Sequence, residues 1–438
     1  MAALLTLLCL ITPVAAADDL TQQEKLFGLS LLWKELSYNF PFFDQVPDLD
    51  IDQAYQTFIP KVLATESTAE YYRELVKFVA QFDDGHTQVI PPRSYQRQYR
   101  ANVPIQLTAV QGQAIVTAVS GDLSEQLPLG AAITAVNGLA LQSHLDKHIL
   151  PYIASSASHV RQNMAIRSAF EGRPDTALEI TFRTVEGETG SVSVTRRHKL
   201  AWGTASVLQQ PKRSKDRLDF RMLDNDIGYL SLSTFRDKAI VDDFLAIFAE
   251  LKTTQGLLID LRFNGGGNSR HADEIIRYLA DRNTTGRGWK SRIHSAAYKS
   301  WGVYGGQYAE YGQDNAWHQG KPSTLTARSN NHIVPTYVLI GPGTASSSEN
   351  FLIHASQLQH MTTIGENTFG STGNPLIYDL PGGGKARIVS LRATFHDGRE
   401  FVGSGIAPDI EIKPTLADLL AEEDVVLNEA IRRLSEQL

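Results

Sequence analysis

The chain has 438 residues and a formal net charge of −7, and 42% of its residues are hydrophobic and 20% charged. This length allows two or three domains with substantial cores, and the composition is ordinary for a globular protein. The negative net charge and the lack of a basic run argue against a nucleic-acid partner.

The first residues have the pattern of a secretory signal peptide. An apolar run from Leu4 to Val14 precedes a small-residue cleavage site at Ala15-Ala-Ala17, and the run is too short for a transmembrane helix. The only cysteine, Cys9, would leave with residues 1–17. We therefore expect an exported bacterial protein, periplasmic or secreted, without a cofactor, a metal or a membrane span after cleavage.

Residues 18–99 are predicted to form a helical region. Its third helix begins at Ser67-x-x-Glu70, which has the pattern of a capping box, and ends before Asp83-Asp-Gly-His-Thr87. The glycine in this turn is typical of a helix end. His86 then follows the helix, either as a surface turn residue or as a functional side chain.

Residues 100–200 alternate like strands and predict a β module. The stretch from Leu129 to Gly138 resembles the pattern of PDZ domains, which bind C-terminal peptides by adding a strand to a sheet edge. A β-hairpin at Asn137-Gly138 explains the same glycines. The segment from Ser143 to Pro174 is longer than such a module needs.

Residues 216–415 alternate between strands and helices, which predicts an α/β core with a parallel-rich sheet. The turn Gly265-Gly-Gly267 follows a buried strand but lacks the spacing of a nucleotide-binding loop. The aromatic segment 284–335 is either a lid over a substrate groove or a surface flap. Residues 416–438 predict a C-terminal amphipathic helix.

One stretch combines a strand, a Gly/Ser turn and a helix. Tyr337–Ile340 reads as a buried strand, and Phe351 to Met361 as a buried helix. Ser346-x-x-Glu349 between them is a capping box on one interpretation. On the other, Ser346 is a nucleophile at a helix N-terminus, where backbone N–H groups stabilise negative charge.

Three separated motifs decide between these interpretations. They are Asp260-Leu-Arg-x-Asn-Gly-Gly-Gly267, Thr344-Ala-Ser-Ser-Ser-Glu349 with Gly365-Glu-x-Thr-x-Gly370, and Gly403-Ser-Gly-Ile-Ala-Pro-Asp-Ile410. In this order they resemble the tail-specific, or C-terminal processing, serine peptidase family, which includes the tricorn core protease and the interphotoreceptor retinoid-binding proteins. The resemblance covers residues 20–415 and implies a multidomain α/β protein with a crotonase-like catalytic core.

The resemblance also implies roles for single residues. The nucleophile falls on Ser346, and the oxyanion donors on the backbone N–H groups of Ser347 and Gly266. The family's Ser–Lys members have a lysine in the turn after Thr-Phe-Gly, where this chain has Ser371. Ser371 is either a polar support in the lysine's place or a turn residue. A base other than lysine is therefore expected.

Tricorn-like relatives take a histidine base from the segment before the PDZ-like module. His86 occupies that position, with His396, His354 and then Lys385 as the rival candidates. Glu400 is the expected acid that orients the imidazole.

These roles predict an exported serine endopeptidase that hydrolyses unstructured or C-terminal polypeptide segments through an acyl-enzyme. A non-catalytic protein that binds an apolar ligand or a peptide on the same fold, and an esterase, are the alternatives.

Overall fold

The computed structural model describes residues 19–438. The predicted signal peptide and Cys9 lie outside this range. No helix within it is long and apolar enough to cross a membrane.

The N-terminal part is mainly helical. Its elements are α1 Gln22–Asn39, α2 Ile51–Leu63, α3 Thr68–Ala80, β1 Gln88–Ile90 and α4 Arg93–Tyr99. Ser67 caps α3 by accepting a hydrogen bond from the Glu70 N–H. Leu29 and Phe78 of these helices belong to the same hydrophobic cluster as Phe351, nearly 300 residues later. The N-terminal helices therefore share a core with the α/β part of the chain.

The middle part is an antiparallel sheet with two helices. Its elements are β2 Ile105–Val110, β3 Gln113–Val119, β4 Ala132–Val136, β5 Leu139–Ala140, α5 Leu141–His148, α6 Ser158–Arg167, β6 Ala177–Arg183, β7 Thr189–Thr195 and β8 Ser206–Val207. The main strands follow the order β2-β3-β4-β6-β7. The sheet and helices have a hydrophobic cluster of their own, to which Val116, Ile133 and Ile180 belong. Helices α5 and α6 account for half of the segment from Ser143 to Pro174.

The rest of the chain forms the α/β core. Its elements are β9 Leu218–Met222, β10 Ile227–Leu232, α7 Ala239–Leu251, β11 Gly256–Asp260, α8 Ser269–Arg277, β12 Thr284–Thr285, β13 Gly288–Arg292, α9 Ala296–Gly302, α10 Ala309–Gly312, β14 Trp317–Gly320, β15 Thr324–Leu325, β16 Thr336–Ile340, α11 Ser347–Ala355, β17 Met361–Gly365, β18 Leu376–Leu380, β19 Gly384–Ile388, β20 Arg392–Thr394, β21 Ile410–Glu411, α12 Leu416–Leu420 and α13 Val425–Gln437. The main sheet has the order β21-β17-β16-β11-β10-β9. All neighbouring strands in it are parallel except β9, an antiparallel edge strand. The predicted α/β class with a parallel-rich sheet is thus confirmed.

A smaller sheet joins the N-terminal part of the chain to the α/β core. Strand β1 pairs antiparallel with β19, and β19 pairs with β18. In this register Gln88 lies opposite Arg387. Because β1 begins two residues after His86, the pairing fixes the position of that histidine relative to the α/β core.

Two predicted helices differ from the observed ones. The helix after Ser346 ends at Ala355, and Met361 begins strand β17 instead of continuing the helix. The single predicted C-terminal helix is divided into α12 and α13, because Glu422 between them has a positive φ of 57° and Asp424 caps α13.

The aromatic segment 284–335 packs largely on itself. The rings of Tyr298 and Tyr308 stack with centroids 4.7 Å apart, and Trp301 lies 5.3 Å from Tyr308. Trp301 is 54% exposed and Tyr304 92% exposed. These rings therefore form a surface cluster instead of entering the hydrophobic core.

Candidate active site

Ser346 lies in the turn between β16 and α11. Its backbone has φ 58° and ψ −114°, a conformation that costs a residue other than glycine roughly 1–3 kcal/mol. The Ser346 N–H donates to Glu349 Oε2 over 2.9 Å, as the capping-box interpretation predicted. The positive φ departs from the extended backbone of an ordinary cap residue. This strained turn is held by contacts outside it.

Glu349 supplies those contacts. Its carboxylate is fully buried and also accepts hydrogen bonds from Thr368 Oγ1 and from the Gly370 N–H, each over 2.7 Å. Burial raises the pKa of Glu349 to about 7, although these donors oppose the shift. One carboxylate therefore joins the turn of Ser346 to the turn that leads into Ser371.

The third sequence motif braces the same turn. The Ile406 N–H donates to Thr368 Oγ1 over 2.7 Å. A Cβ on Gly370, whose φ is 70°, would lie 2.5 Å from the Gly405 nitrogen. Only glycine allows this close approach, so the second and third motifs pack directly on each other.

His86 faces Ser346 although 260 residues separate them in the chain. Its Nε2 lies 3.3 Å from Ser346 Oγ, and its Nδ1 lies 2.6 Å from Ser371 Oγ. The side chain is buried, which contradicts the interpretation of His86 as a surface turn residue. Burial, with smaller effects from Arg387 and Arg287, lowers the pKa of His86 to about 3. The imidazole is consequently neutral near pH 7 and able to accept a proton.

A buried carboxylate completes this row of polar groups. Ser371 Oγ donates to Asp84 Oδ1 over 3.3 Å, and Ser156 Oγ donates to the same oxygen over 3.0 Å. The backbone N–H of His86 donates to the other oxygen, Asp84 Oδ2, over 3.1 Å. Burial raises the pKa of Asp84, and these donors oppose the rise. Asp84 was not singled out in the sequence, although it stands two residues before His86.

The middle part of the chain also reaches this site. Ser156, which contacts Asp84, lies just before α6. On the helix itself, His159 Nε2 lies 2.9 Å from the Thr368 carbonyl oxygen. The predicted β module thus contacts two parts of the site directly.

Glu400 does not occupy its predicted place. Its carboxylate accepts hydrogen bonds from Arg392 Nε and Nη2 over 2.7 and 2.6 Å. Both carboxylate oxygens of Glu400 are thus bound to Arg392, and the predicted hydrogen bond from Glu400 to His86 is not formed.

The rival bases also lie elsewhere. His354 Nδ1 contacts Thr284 Oγ1 over 2.8 Å, and Lys385 pairs with Asp379 at the surface. His396 is exposed.

The predicted oxyanion donors have different surroundings. The Ser347 N–H has no acceptor among residues 19–438. Gly266 lies against the Ser346 turn, since a Cβ on it would be 2.8 Å from the Ser347 nitrogen. Its N–H, however, donates to Asn264 Oδ1 over 2.9 Å. The Gly266 N–H is thus already occupied, which differs from the predicted pair of open donors.

Comparison with known proteins places this site in a family. Residues 226–412 match the family model described as peptidase family S41. This part of the chain, here called the S41 domain, is similar to peptidase family S41. It contains Gly266, Ser346 and Ser371, whereas His86 and Asp84 lie before the matched residues.

Curated relatives of the S41 domain are carboxy-terminal processing proteases. The chain is 24% identical over 191 residues to "Carboxy-terminal processing protease CtpB" of Bacillus subtilis, covering 43% of this chain and 34% of that protein. It is 26% identical over 216 residues to a "Carboxy-terminal-processing protease" of Bartonella bacilliformis, covering 48% of this chain and 44% of that protein. The matches therefore span less than half of these relatives' own length.

Solved structures resemble most of the chain. Mature CPAF in complex with lactacystin superposes with a TM-score of 0.73 over 95% of this chain and 98% of that one, at 15% identity. The N-terminal part, the middle part and the α/β core of this chain therefore share the fold of that protein.

Proposed function

We propose that this protein is a serine peptidase in which Ser346 attacks a peptide carbonyl and His86 acts as the base. The observation that carries the proposal is the contact of 3.3 Å between His86 Nε2 and Ser346 Oγ. Such contacts are often long in the absence of substrate and shorten when it binds. The S41 domain and the names of its curated relatives support a peptidase over other uses of a reactive serine.

The hydrogen bonds at Nδ1 support a single tautomer of His86. With the proton on Nδ1, the ring donates to Ser371 Oγ, and the Ser371 hydroxyl can donate to Asp84. Nε2 is then free to accept the Ser346 proton. Ser371 and Asp84 thus take the orienting role that the sequence analysis assigned to Glu400. Ser371 stands where the family's Ser–Lys members have their lysine, and its hydroxyl links His86 to Asp84.

The reaction follows from this arrangement. Ser346 Oγ bonds to the carbonyl carbon while His86 takes the hydroxyl proton, and the carbonyl oxygen becomes negative. The Ser347 N–H is the open donor toward that oxygen. The Gly266 N–H can join it only by sharing its proton with Asn264. His86 then passes the proton to the leaving amine, and water hydrolyses the acyl-enzyme by the same route.

The substrate class rests on the relatives. Their names describe processing at a carboxyl terminus, and we propose that this protein cleaves unstructured or C-terminal polypeptide segments after export. The middle sheet is the proposed PDZ-like peptide-binding module. Its contacts with Asp84 and Thr368 couple that module to the reaction centre.

Labelling by a fluorophosphonate tests this function. The reagent should attach to Ser346, identified by mass spectrometry, and labelling should disappear in Ser346→Ala. Ser356→Ala is the matched control, since this serine ends the same helix at its other terminus and its hydroxyl donates to the Ile353 carbonyl oxygen. Absence of labelling would favour a non-catalytic binding protein. Turnover of small esters without cleavage of unfolded polypeptides would favour an esterase.

A further inference from the structure

A polar cavity of about 540 Å³ lies beside the nucleophile's helix. The side chains that line it and that matter here are Asp273, Arg287, Lys321, Asn350 and His354. The proposed mechanism uses none of them. The cavity is wide enough for a side chain or a chain end of a peptide.

The cavity opens next to the reaction centre. Asn350 and His354 follow Ser346 at helical spacings of four and eight residues, so the three lie along one face of the helix. Asn350 bonds to Ser269, and Ser269 Oγ lies 3.4 Å from Ser347 Oγ. Four residues of helix rise about 6 Å, so Asn350 lies about 6 Å along the helix from Ser346. Two residues of an extended substrate span a similar distance, about 6–7 Å.

Arg287 brings a positive charge into this cavity. It is partly buried and makes no hydrogen bond or ion pair with any of residues 19–438. Its charge reaches the reaction centre, where it contributes to the lowered pKa of His86. A guanidinium group has five N–H donors and accepts no hydrogen bond. Inside a cavity it is suited to a carboxylate, which it can bind through two parallel hydrogen bonds.

The acidic side chain in the cavity, Asp273, attracts Arg287 electrostatically but makes no direct ion pair with it. Asp273 Oδ1 lies 3.6 Å from His354 Nε2, and burial raises the pKa of Asp273 to about 6. Lys321, which is exposed, adds a second positive charge to the rim. On the other side of the reaction centre, Arg387 Nε is buried without a hydrogen-bond partner. Positive side chains therefore lie around the site, together with the buried carboxylates of Asp84 and Glu349.

We infer that the cavity at Arg287 and Asn350 is a specificity pocket that binds a substrate carboxylate within two or three residues of the scissile bond. The carboxylate belongs either to an acidic side chain or to the free C-terminus of the substrate. This inference rests on the proposed function, because it assigns a substrate class to the same site.

Binding of peptides by the Ser346→Ala protein tests the pocket without catalysis. The probes are ten-residue peptides of Gly, Ser and Leu with blocked ends, each with one Glu at a different position, and their Gln counterparts. A neutral peptide with a free or an amidated C-terminus forms the second arm. We expect one Glu position, or the free C-terminus, to bind about tenfold or more tightly than its neutral partner by calorimetry. A preference within the Glu and Gln peptides would identify an acidic side chain as the bound carboxylate, and a preference for the free over the amidated C-terminus would identify the chain end.

Substitutions at Arg287 then assign the preference. In the Ser346→Ala background, Arg287→Met should abolish the difference between the charged and neutral peptides, and Arg287→Lys should retain part of it. Arg282→Met is the matched control, because it removes the same charge from an exposed arginine that pairs with Asp281 outside the cavity. Thermal unfolding of each variant verifies folding, with Arg287→Gln as the replacement if Arg287→Met does not fold.

Two results would overturn the inference. The first is equal binding of all charged and neutral pairs by the Ser346→Ala protein, and the second is a preference that survives in Arg287→Met. Failure of the wild-type protein to react with a fluorophosphonate would instead overturn the proposed function, and the calorimetric comparison would still report on the pocket.

Discussion

The carboxylate of Glu349 accepts a hydrogen bond from the Ser346 N–H and another from the Gly370 N–H, over 2.9 and 2.7 Å. The strained backbone of the proposed nucleophile and the turn that presents Ser371 are thus held by one side chain. Glu349 is in this sense a positioning residue, since its carboxylate bonds to the two turns and not to His86.

Loss of either Ser346 or His86 should abolish most of the activity. We expect Ser346→Ala and His86→Ala each to lower kcat by on the order of 10³-fold or more, and the double variant to lose little beyond either, because the pair acts as a unit. Initial rates on an unfolded polypeptide measure this. Near-full activity in His86→Ala would exclude His86 as the base.

Asp84 and Ser371 should matter more than Glu400. Asp84→Asn and Ser371→Ala break the hydrogen bonds that orient His86, and each should lower kcat by roughly 10-fold to 10²-fold or more. Glu400→Gln, which alters only the pair with Arg392, should change kcat less than about twofold. The reverse order of effects would restore Glu400 as the orienting acid.

Glu349→Gln should reduce both stability and kcat. The amide would turn an NH₂ group toward N–H donors that now meet a carboxylate, at a cost of about 1–3 kcal/mol. Because the pKa of Glu349 is raised to about 7 in the folded state, its stabilising contribution is present below its unfolded pKa of 4.5 and is lost as pH rises through 7.

The difference in unfolding free energy between wild type and Glu349→Gln should therefore narrow from pH 5 to pH 7.5. Urea titrations at both pH values measure it, with the exposed Glu411→Gln as the control. A fall in kcat at unchanged KM would distinguish positioning from general destabilisation. A difference that widens with pH would contradict the raised pKa.

His86 should make folding stability depend on pH in the opposite direction. Its folded pKa of about 3 lies below the unfolded value of 6.5, so its contribution is complete above pH 6.5 and is lost as pH falls. Relative to His86→Gln, the wild type should lose up to about 1.4 kcal/mol per pH unit between pH 6 and 4.5. If the unfolding free energies of the two proteins changed equally with pH, the pKa of His86 would not be lowered in the folded state.

The sequence predicted the parts of the site that depend on local pattern. The strand, turn and helix around Ser346 follow from a buried apolar run and a Gly/Ser turn, and His86 follows from its place after α3 and its family resemblance. Asp84 was missed because nothing local indicates that a carboxylate in a polar turn becomes buried against Ser156 and Ser371. Glu400 was misplaced for a related reason, since its partner Arg392 was not identified.

The pairing of β1 with β19 has a consequence during synthesis. The segment that carries His86 leaves the ribosome about 260 residues before Ser346, and it is fixed opposite the serine only when β19 has formed. A chain that ends before β19 therefore lacks the strand pairing that fixes His86 opposite Ser346. The proposed active site can accordingly assemble only late in synthesis, when most of the S41 domain has been made.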